Sequence, residues 1–295
     1  NYTARKIIDL KPKILILCDF PGFNLRLAKK IRKSFNGKIY YYITPQVWAW
    51  HKNRVKDLKN YVDLCFVILP FEKDFLRDSG IKAYYVGNPV RRQVSDFLTV
   101  EKLQEKKGKV ISLMPGSRNE EIRRNLPTLN DVGKLLAIKY NYEINLICTK
   151  NIPKNVYSER INNRYINLIN PEKNINLRTI YNSDLVITKF GTSNLECAFL
   201  GIPFIAVYKA SLLNYIIAKM LVKIKFVSLV NIVMNNEIVK EFIQKDFNVN
   251  NILKEAEKIL MDDNYRTNML NNFKALDEVF NQDVFNLPEF ICNQF

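Results

Sequence analysis

Histidine is nearly missing from this chain: His51 is the only one in 295 residues. A Ser-His-Asp triad, a Cys-His pair or a histidine-rich metal site would each have to pass through that residue, so acid-base chemistry falls to carboxylates. Cysteine is scarce as well. Cys18, Cys65, Cys148, Cys197 and Cys292 are odd in number, far apart and without a CxxC pair, which argues against a disulfide framework or a zinc site. Glycine occurs only nine times, and the chain has no Walker A loop and no GxGxxG, so the two common glycine-rich phosphate cradles are excluded. No apolar run reaches the roughly eighteen residues needed to cross a bilayer, and no signal-peptide pattern opens the chain. The expectation is a cytosolic protein without repeats or low-complexity segments, requiring no metal and no cofactor.

Acidic residues are in deficit. Against 45 Lys and Arg stand 29 Asp and Glu, a formal charge of +16, which calls for an anionic partner: nucleic acid, an anionic lipid surface or a phosphorylated small molecule. A general Lys, Asn and Ile bias raises net charge without any site. The basic residues are scattered rather than massed, and no nucleic-acid-binding motif is present, so nucleic acid is the least favoured of the three partners. An apolar fraction of 47% with 25% charged residues is that of a globular protein, and the length accommodates two domains.

Short apolar runs recur at 13–18, 38–43, 63–69, 82–86, 110–114, 144–148, 165–169, 185–187 and 204–207, each fit for a buried parallel strand. Helical patterns separate them, at 25–35, up to Asp78, at 95–107 and after Arg118, and further helices are expected at 236–244, 250–261 and 264–280. This alternation predicts α/β architecture with doubly wound parallel sheets. The turn residues Gly87-Asn88-Pro89 break the rhythm and mark a domain boundary. The expected domains are 1–92 and 93–295, with the last helices packing back toward the first.

Asp184-Leu-Val-Ile-Thr-Lys-Phe-Gly191-Thr192-Ser193-Asn-Leu-Glu196 reads as a strand, a tight glycine turn and a helix opened by hydroxyl residues. Unpaired amides and the positive end of a helix dipole suit a phosphate there, and Glu196, one turn further in, suits a sugar hydroxyl; an ordinary capped corner is the plain alternative. Pro115-Gly116-Ser117-Arg118 forms a second strand-to-helix loop, where Arg118 offers a planar cationic fork suited to phosphate or else is a solvated arginine beside a capped helix. Asp19 falls just beyond the first apolar run, where ligands sit in open α/β sheets, or else caps a turn. Trp48 and Trp50 stand with His51, Lys52 and Arg54 in one segment, suited either to a sugar face or acyl chain beside an anion, or to anchoring a helix on its sheet. Residues 211–225 form a basic amphipathic pattern with Lys219, Lys223 and Lys225, fit for an anionic membrane surface or for burial with snorkelling lysines.

Taken in order, Tyr42-Ile-Thr-Pro-Gln-Val-Trp-Ala-Trp50, Leu69-Pro-Phe-Glu-Lys73, Val86-Gly-Asn-Pro89, Leu113-Met-Pro-Gly-Ser-Arg118, Gly191-Thr-Ser-Asn-Leu-Glu196 and Val227-Ser-Leu-Val-Asn231 resemble the lipid-A-disaccharide synthase family over almost the whole chain. The resemblance implies a GT-B fold, two Rossmann-like domains facing across a cleft. It implies inverting transfer of 2,3-diacylglucosamine from UDP to 2,3-diacylglucosamine 1-phosphate, by a metal-independent enzyme peripheral on the cytoplasmic face of the inner membrane. By the same likeness, Asp19 is the general base. Gly116, Ser117, Arg118, Gly191, Thr192 and Ser193 meet the diphosphate, and Glu196 meets the ribose. Asn231, Glu241 and Gln244 lie near the donor, the last two at the end of a helix, and Trp48, Trp50 and Arg54 serve the acceptor side.

The chain departs from the family pattern at Gly22, His51, Asn88, Phe190 and Val230, and Phe190 is expected to crowd the Gly191 turn. The family's glycine-rich opening strand and helix have no counterpart before residue 13, so the sequence reads as N-terminally incomplete. Other readings are a different UDP-sugar enzyme on the same fold, such as a UDP-N-acetylglucosamine 2-epimerase or a peptidoglycan glycosyltransferase, a basic nucleic-acid-binding protein, and an inactive lipid-binding relic.

Overall fold

The computed structural model describes residues 2–49, 53–101, 108–161, 164–172, 174–211 and 225–293. Trp50, His51, Lys52 and most of the basic amphipathic pattern, residues 212–224, lie outside the described residues. The chain divides into two compact units. The first holds Asn1–Pro89 and Val279–Phe295, and the second the described residues between them.

Unit 1 runs α1 (Tyr2–Leu10), β1 (Ile14–Cys18), α2 (Pro21–Ile31), β2 (Lys38–Tyr42), α3 (Arg54–Tyr61), β3 (Leu64–Val67), α4 (Pro70–Asp78) and β4 (Ala83–Tyr85). Its strands pair in parallel in the order β1-β2-β3-β4, with Tyr40 opposite Leu64 and Cys65 opposite Ala83. All four residues of β3 are buried, as a central parallel strand requires. The C-terminal segment closes this core: Phe285 stacks on Tyr84 at 4.2 Å, and Phe290 packs against Tyr40 and Phe66. No helix was expected ahead of the apolar run at 13–18. Helix α1 precedes it instead, because Ala4, Ile7 and Ile8 recur at helical spacing and turn Ala4 inward.

Unit 2 opens with α5 (Pro89–Val100), which starts inside the Gly87-Asn88-Pro89 turn, earlier than the expected residue 95, because proline is well placed at the first helical position. It continues through β5 (Val110–Met114), α6 (Asn119–Tyr140), β6 (Glu143–Ile147), α7 (Lys154–Ser158), β7 (Ile166–Ile169), α8 (Ile175–Tyr181), β8 (Leu185–Lys189), α9 (Thr192–Phe199) and β9 (Phe204–Tyr208). Then come α10 (Leu229–Met234), β10 (Glu241–Ile243), α11 (Val249–Met261) and α12 (Asp263–Asn281), the last residues of which belong to unit 1.

The second sheet is parallel throughout, in the order β10-β9-β8-β5-β6-β7. The chain enters at the middle with β5, builds outward to β7, then returns to β8 on the other side of β5. Strand order therefore reverses between β5 and β8, where Leu113 stands opposite Ile187 and Met114 opposite Thr188. Ligands of open α/β sheets bind beyond the carboxyl ends of strands at such a reversal.

The helix expected over 236–244 is not formed. Asn235 takes a left-handed conformation (φ 48°) that ends α10, and Glu241–Ile243 pairs with β9 as an edge strand. A three-residue run carries too little periodicity to separate the two outcomes, and an available sheet edge decides them.

Candidate functional site at the strand reversal

Two loops leave the carboxyl ends of β5 and β8. The β8 loop turns on Gly191, whose φ of 155° favours glycine, and a Cβ there would meet nothing within 4 Å. Gly191 and Thr192 are exposed, and the Thr192 hydroxyl has no partner among the described residues. The first amides of α9 thus face open space with the positive end of the helix dipole behind them, an arrangement that receives anions. Ser193 is used otherwise. Its hydroxyl bonds Thr188 Oγ1 at 2.8 Å and donates to the Lys189 carbonyl at 3.3 Å, so it locks the turn. Phe190 does not crowd the turn: its ring is buried (7% exposed) and packs against Tyr208. The Glu196 side chain is half-buried with no hydrogen bond or ion pair among the described residues, and burial pushes its carboxyl above the usual range. An acid held in this state beside an open anion-receptive turn is poised for a polar ligand.

The β5 loop is organised by a residue that sequence reasoning passed over. Glu121, three positions into α6 from its N-cap Arg118, accepts from the Ser117 amide at 3.1 Å and from Arg118 Nη1 at 3.4 Å, and forms an ion pair with Lys189 Nζ at 3.0 Å. Gly116, at φ 136°, allows this: a Cβ there would stand 2.7 Å from Glu121 Oε2. The Ser117 amide is therefore occupied within the chain. The Arg118 side chain is 80% exposed and reaches into solvent. Lys189, the last residue of β8, also lies over the Tyr208 ring. The signal in the sequence was a Glu three residues after a helix cap, a spacing that points a carboxylate back at the loop.

Asn231, Glu241 and Gln244 form a clasp. The fully buried Asn231 accepts from the Ile238 and Val239 amides and donates to the Val239 carbonyl and to Glu241. Glu241 also accepts from the amides of Val227 and Ser228, ahead of α10. Burial raises its pKa while those backbone bonds lower it. Gln244 Oε1 accepts from the Ala210 amide at 2.7 Å. Their polar atoms thus hold α10, β10 and the end of β9 together.

In unit 1 the carboxyl ends of β1 and β2 carry a cluster of left-handed residues, Asp19 (φ 44°), Phe20 (φ 43°) and the β-branched Ile43 (φ 57°). Such conformations are costly away from glycine and concentrate at functional sites. The Asp19 carbonyl is held at 2.7 Å by both Asn24 Nδ2 and Tyr41 Oη, while its carboxylate is exposed with no partner among the described residues. Burial raises the pKa of the Tyr41 hydroxyl; the Asn24 bond and the nearby Arg54 lower it, and Asp19 raises it. One hydroxyl therefore senses both Asp19 and Arg54. Trp48 is anchored rather than open: its ring packs edge-on against Phe71 at 5.0 Å, and Nε1 donates to Glu72 Oε1 at 2.8 Å. Among the described residues no group of three or more His, Cys, Asp and Glu gathers to hold a metal ion.

The lipid-A-disaccharide synthetase family matches residues 1–295. Lipid-A-disaccharide synthase 1 of Legionella pneumophila (strain Philadelphia 1) is 34% identical over 276 residues, spanning 91% of this chain and 71% of that protein. The Myxococcus xanthus lipid-A-disaccharide synthase is 33% identical over 273 residues, spanning 90% and 71%. Among solved structures, UDP-GlcNAc 2-epimerase from Neisseria meningitidis bound to UDP-GlcNAc superposes with a TM-score of 0.63 at 14% identity, covering 94% of this chain and 78% of that one. An S. aureus MnaA-UDP co-structure gives 0.63 at 15%, covering 92% and 73%. Identities this low speak for the GT-B fold alone, whereas the family match and the closer relatives speak for the chemistry. The chain belongs to the lipid-A-disaccharide synthase family, glycosyltransferases of lipid A biosynthesis.

Proposed function

We propose that this glycosyltransferase moves 2,3-diacylglucosamine from UDP onto 2,3-diacylglucosamine 1-phosphate, with inversion, to give lipid A disaccharide 1-phosphate and UDP. The observation that carries the reading is the state of the β5 and β8 strand ends: an open Gly191–Thr192 turn at a helix N-terminus, a solvent-reaching Arg118 and a half-buried Glu196 carboxyl without a partner among the described residues. In this reading the turn amides, the Thr192 hydroxyl and the Arg118 guanidinium receive the diphosphate, and Glu196 accepts hydrogen bonds from the ribose. As the anomeric C–O bond to UDP breaks, the charge gathering on the leaving diphosphate is stabilised by the helix dipole and by Arg118. Gly116, Ser117, Ser193, Asn231, Glu241 and Gln244 act on the donor side by shaping its loops.

Asp19 is the general base, taking the proton of the attacking sugar hydroxyl as the new glycosidic bond forms. Arg54, with Trp50 beyond the described residues, serves the acylated acceptor and its phosphate, and Trp48 acts on that side by anchoring their segment on Phe71 and Glu72. A charge of +16 and two acylated substrates favour peripheral attachment to the anionic cytoplasmic face of the inner membrane. No described helix is long and apolar enough to cross a bilayer. Labelled UDP-diacylglucosamine supplied with diacylglucosamine 1-phosphate should yield disaccharide 1-phosphate and UDP. Turnover of unacylated UDP-N-acetylglucosamine with no disaccharide would defeat the reading.

A further inference from the structure

Glu121 does more than cap a helix. Capping requires one oxygen on one loop amide, and Oε2 meets that need at Ser117. Oε1 instead faces two cations from different loops, Lys189 at the end of β8 and Arg118 at the start of α6. The carboxylate is nearly buried (8% exposed) and Lys189 is mostly covered, so both ions have given up water for this contact. Gly116 closes over the same carboxylate at a distance that any side chain would forbid. A single acid thus ties together the two strand ends where the sheet reverses. Electrostatics alone opposes its presence there, because a carboxylate repels a diphosphate.

We propose that Glu121 is a positioning residue of the donor site, keeping Arg118 at the mouth of the β5 loop beside the place where the diphosphate arrives, with Lys189 balancing its charge. Lys189 keeps Glu121 neutralised, while Arg118, on the longer contact and largely in solvent, swings to the phosphate when it arrives. The inference rests on the reading that the UDP moiety binds at the β5 and β8 strand ends.

The test is UDP binding by calorimetry, together with the dependence of turnover on UDP-sugar concentration, for Glu121→Gln. Glutamine keeps the size of the side chain and an acceptor for the Ser117 amide. Positioning predicts affinity weakened about tenfold, with the loss falling mainly on KM. Loss of a mere neighbouring negative charge predicts the opposite sign, so unchanged or tighter UDP binding by a folded Glu121→Gln protein overturns the inference. Lys189→Arg, which keeps a cation on Glu121, should hold affinity within about twofold of the parent chain, whereas Lys189→Met loses about tenfold. Equal affinity in these two variants likewise overturns it, even if Glu121→Gln fails to fold. Arg118→Ala separates this inference from the reading beneath it: unchanged UDP affinity there removes the phosphate from this site altogether.

Discussion

Two glutamates occupy the same place in the two units and are treated in opposite ways. Glu72 and Glu121 each stand three residues into a helix, each is nearly buried, and each accepts from a backbone amide of the loop before it. Glu121 is also met by Lys189 and Arg118, whereas Glu72 meets the indole of Trp48. Burial, only partly offset by its hydrogen bonds from Trp48 and backbone amides, pushes the Glu72 carboxyl up to about 7. The difference extends to the strand ends nearby. Around Asp19, unit 1 uses neutral hydrogen bonds and left-handed backbone and leaves the carboxylate without a partner among the described residues. Unit 2 spends an acid to arrange cations and leaves an arginine in solvent. The first suits a proton acceptor and the second suits an anion.

The sharpest break between the two should come from Asp19→Asn. Turnover is expected to fall about 10³-fold while UDP affinity stays within about twofold, since a general base contributes roughly 10² to 10⁴ to rate and nothing to donor binding. Parallel loss of both in rate and calorimetric measurements would erase the distinction drawn between the units. Next in size, Lys189→Met strands Glu121 in a low-dielectric site. About 3 kcal/mol of unfolding free energy should be lost in urea titrations, and removing Glu121 as well should restore part of it.

Glu72 sets a pH dependence with a definite sign. Its folded carboxyl keeps a proton to about 7, against 4.5 for the group in water. The folded state therefore binds the extra proton in between. The contribution is full below about pH 4.5 and is lost as pH rises through about 7, so stability should drop by about 1.4 kcal/mol from about pH 6 to about pH 8. Glu72→Gln should flatten that slope; an unchanged slope in the variant assigns it to other groups. The smallest effect is expected from Tyr41→Phe. One of two donors on the Asp19 carbonyl is lost, about 1 kcal/mol of stability with it, and turnover falls several-fold with UDP affinity retained. Weakened UDP binding in that variant would show that the two sites are not separable.

Much of the architecture was legible from local pattern. Val110–Met114 and Phe204–Tyr208 are short apolar runs that suit a buried parallel strand, and the turn at Gly191 marks its own helix start. No helix was expected over Tyr2–Leu10, although its apolar residues recur at helical spacing, and the edge strand Glu241–Ile243 was misread, since a very short segment takes its conformation from whichever neighbour satisfies its backbone. Among site residues, the loop cation Arg118, the strand-end Asp19 and the turn at Gly191 announced themselves by type and position. Lys189, Asn24 and Tyr41 did not, because their work is done on partners distant in sequence or on backbone carbonyls, and Glu121 showed only the spacing of a helix cap, with its pairing to Lys189 hidden.

What the sequence determined by itself is the inventory: alternating strand and helix, a glycine turn ahead of hydroxyls, a family likeness, and a shortage of histidine that leaves acid-base work to carboxylates. The tertiary structure decided which charges are available. It brings Lys189 across 68 residues of chain to Glu121, which lies far from it in sequence but beside it where the strand order reverses. It also turns the Phe190 ring inward, leaving the Gly191 turn open. Burial and strand order are properties of the packed sheet, and no window of sequence contains them.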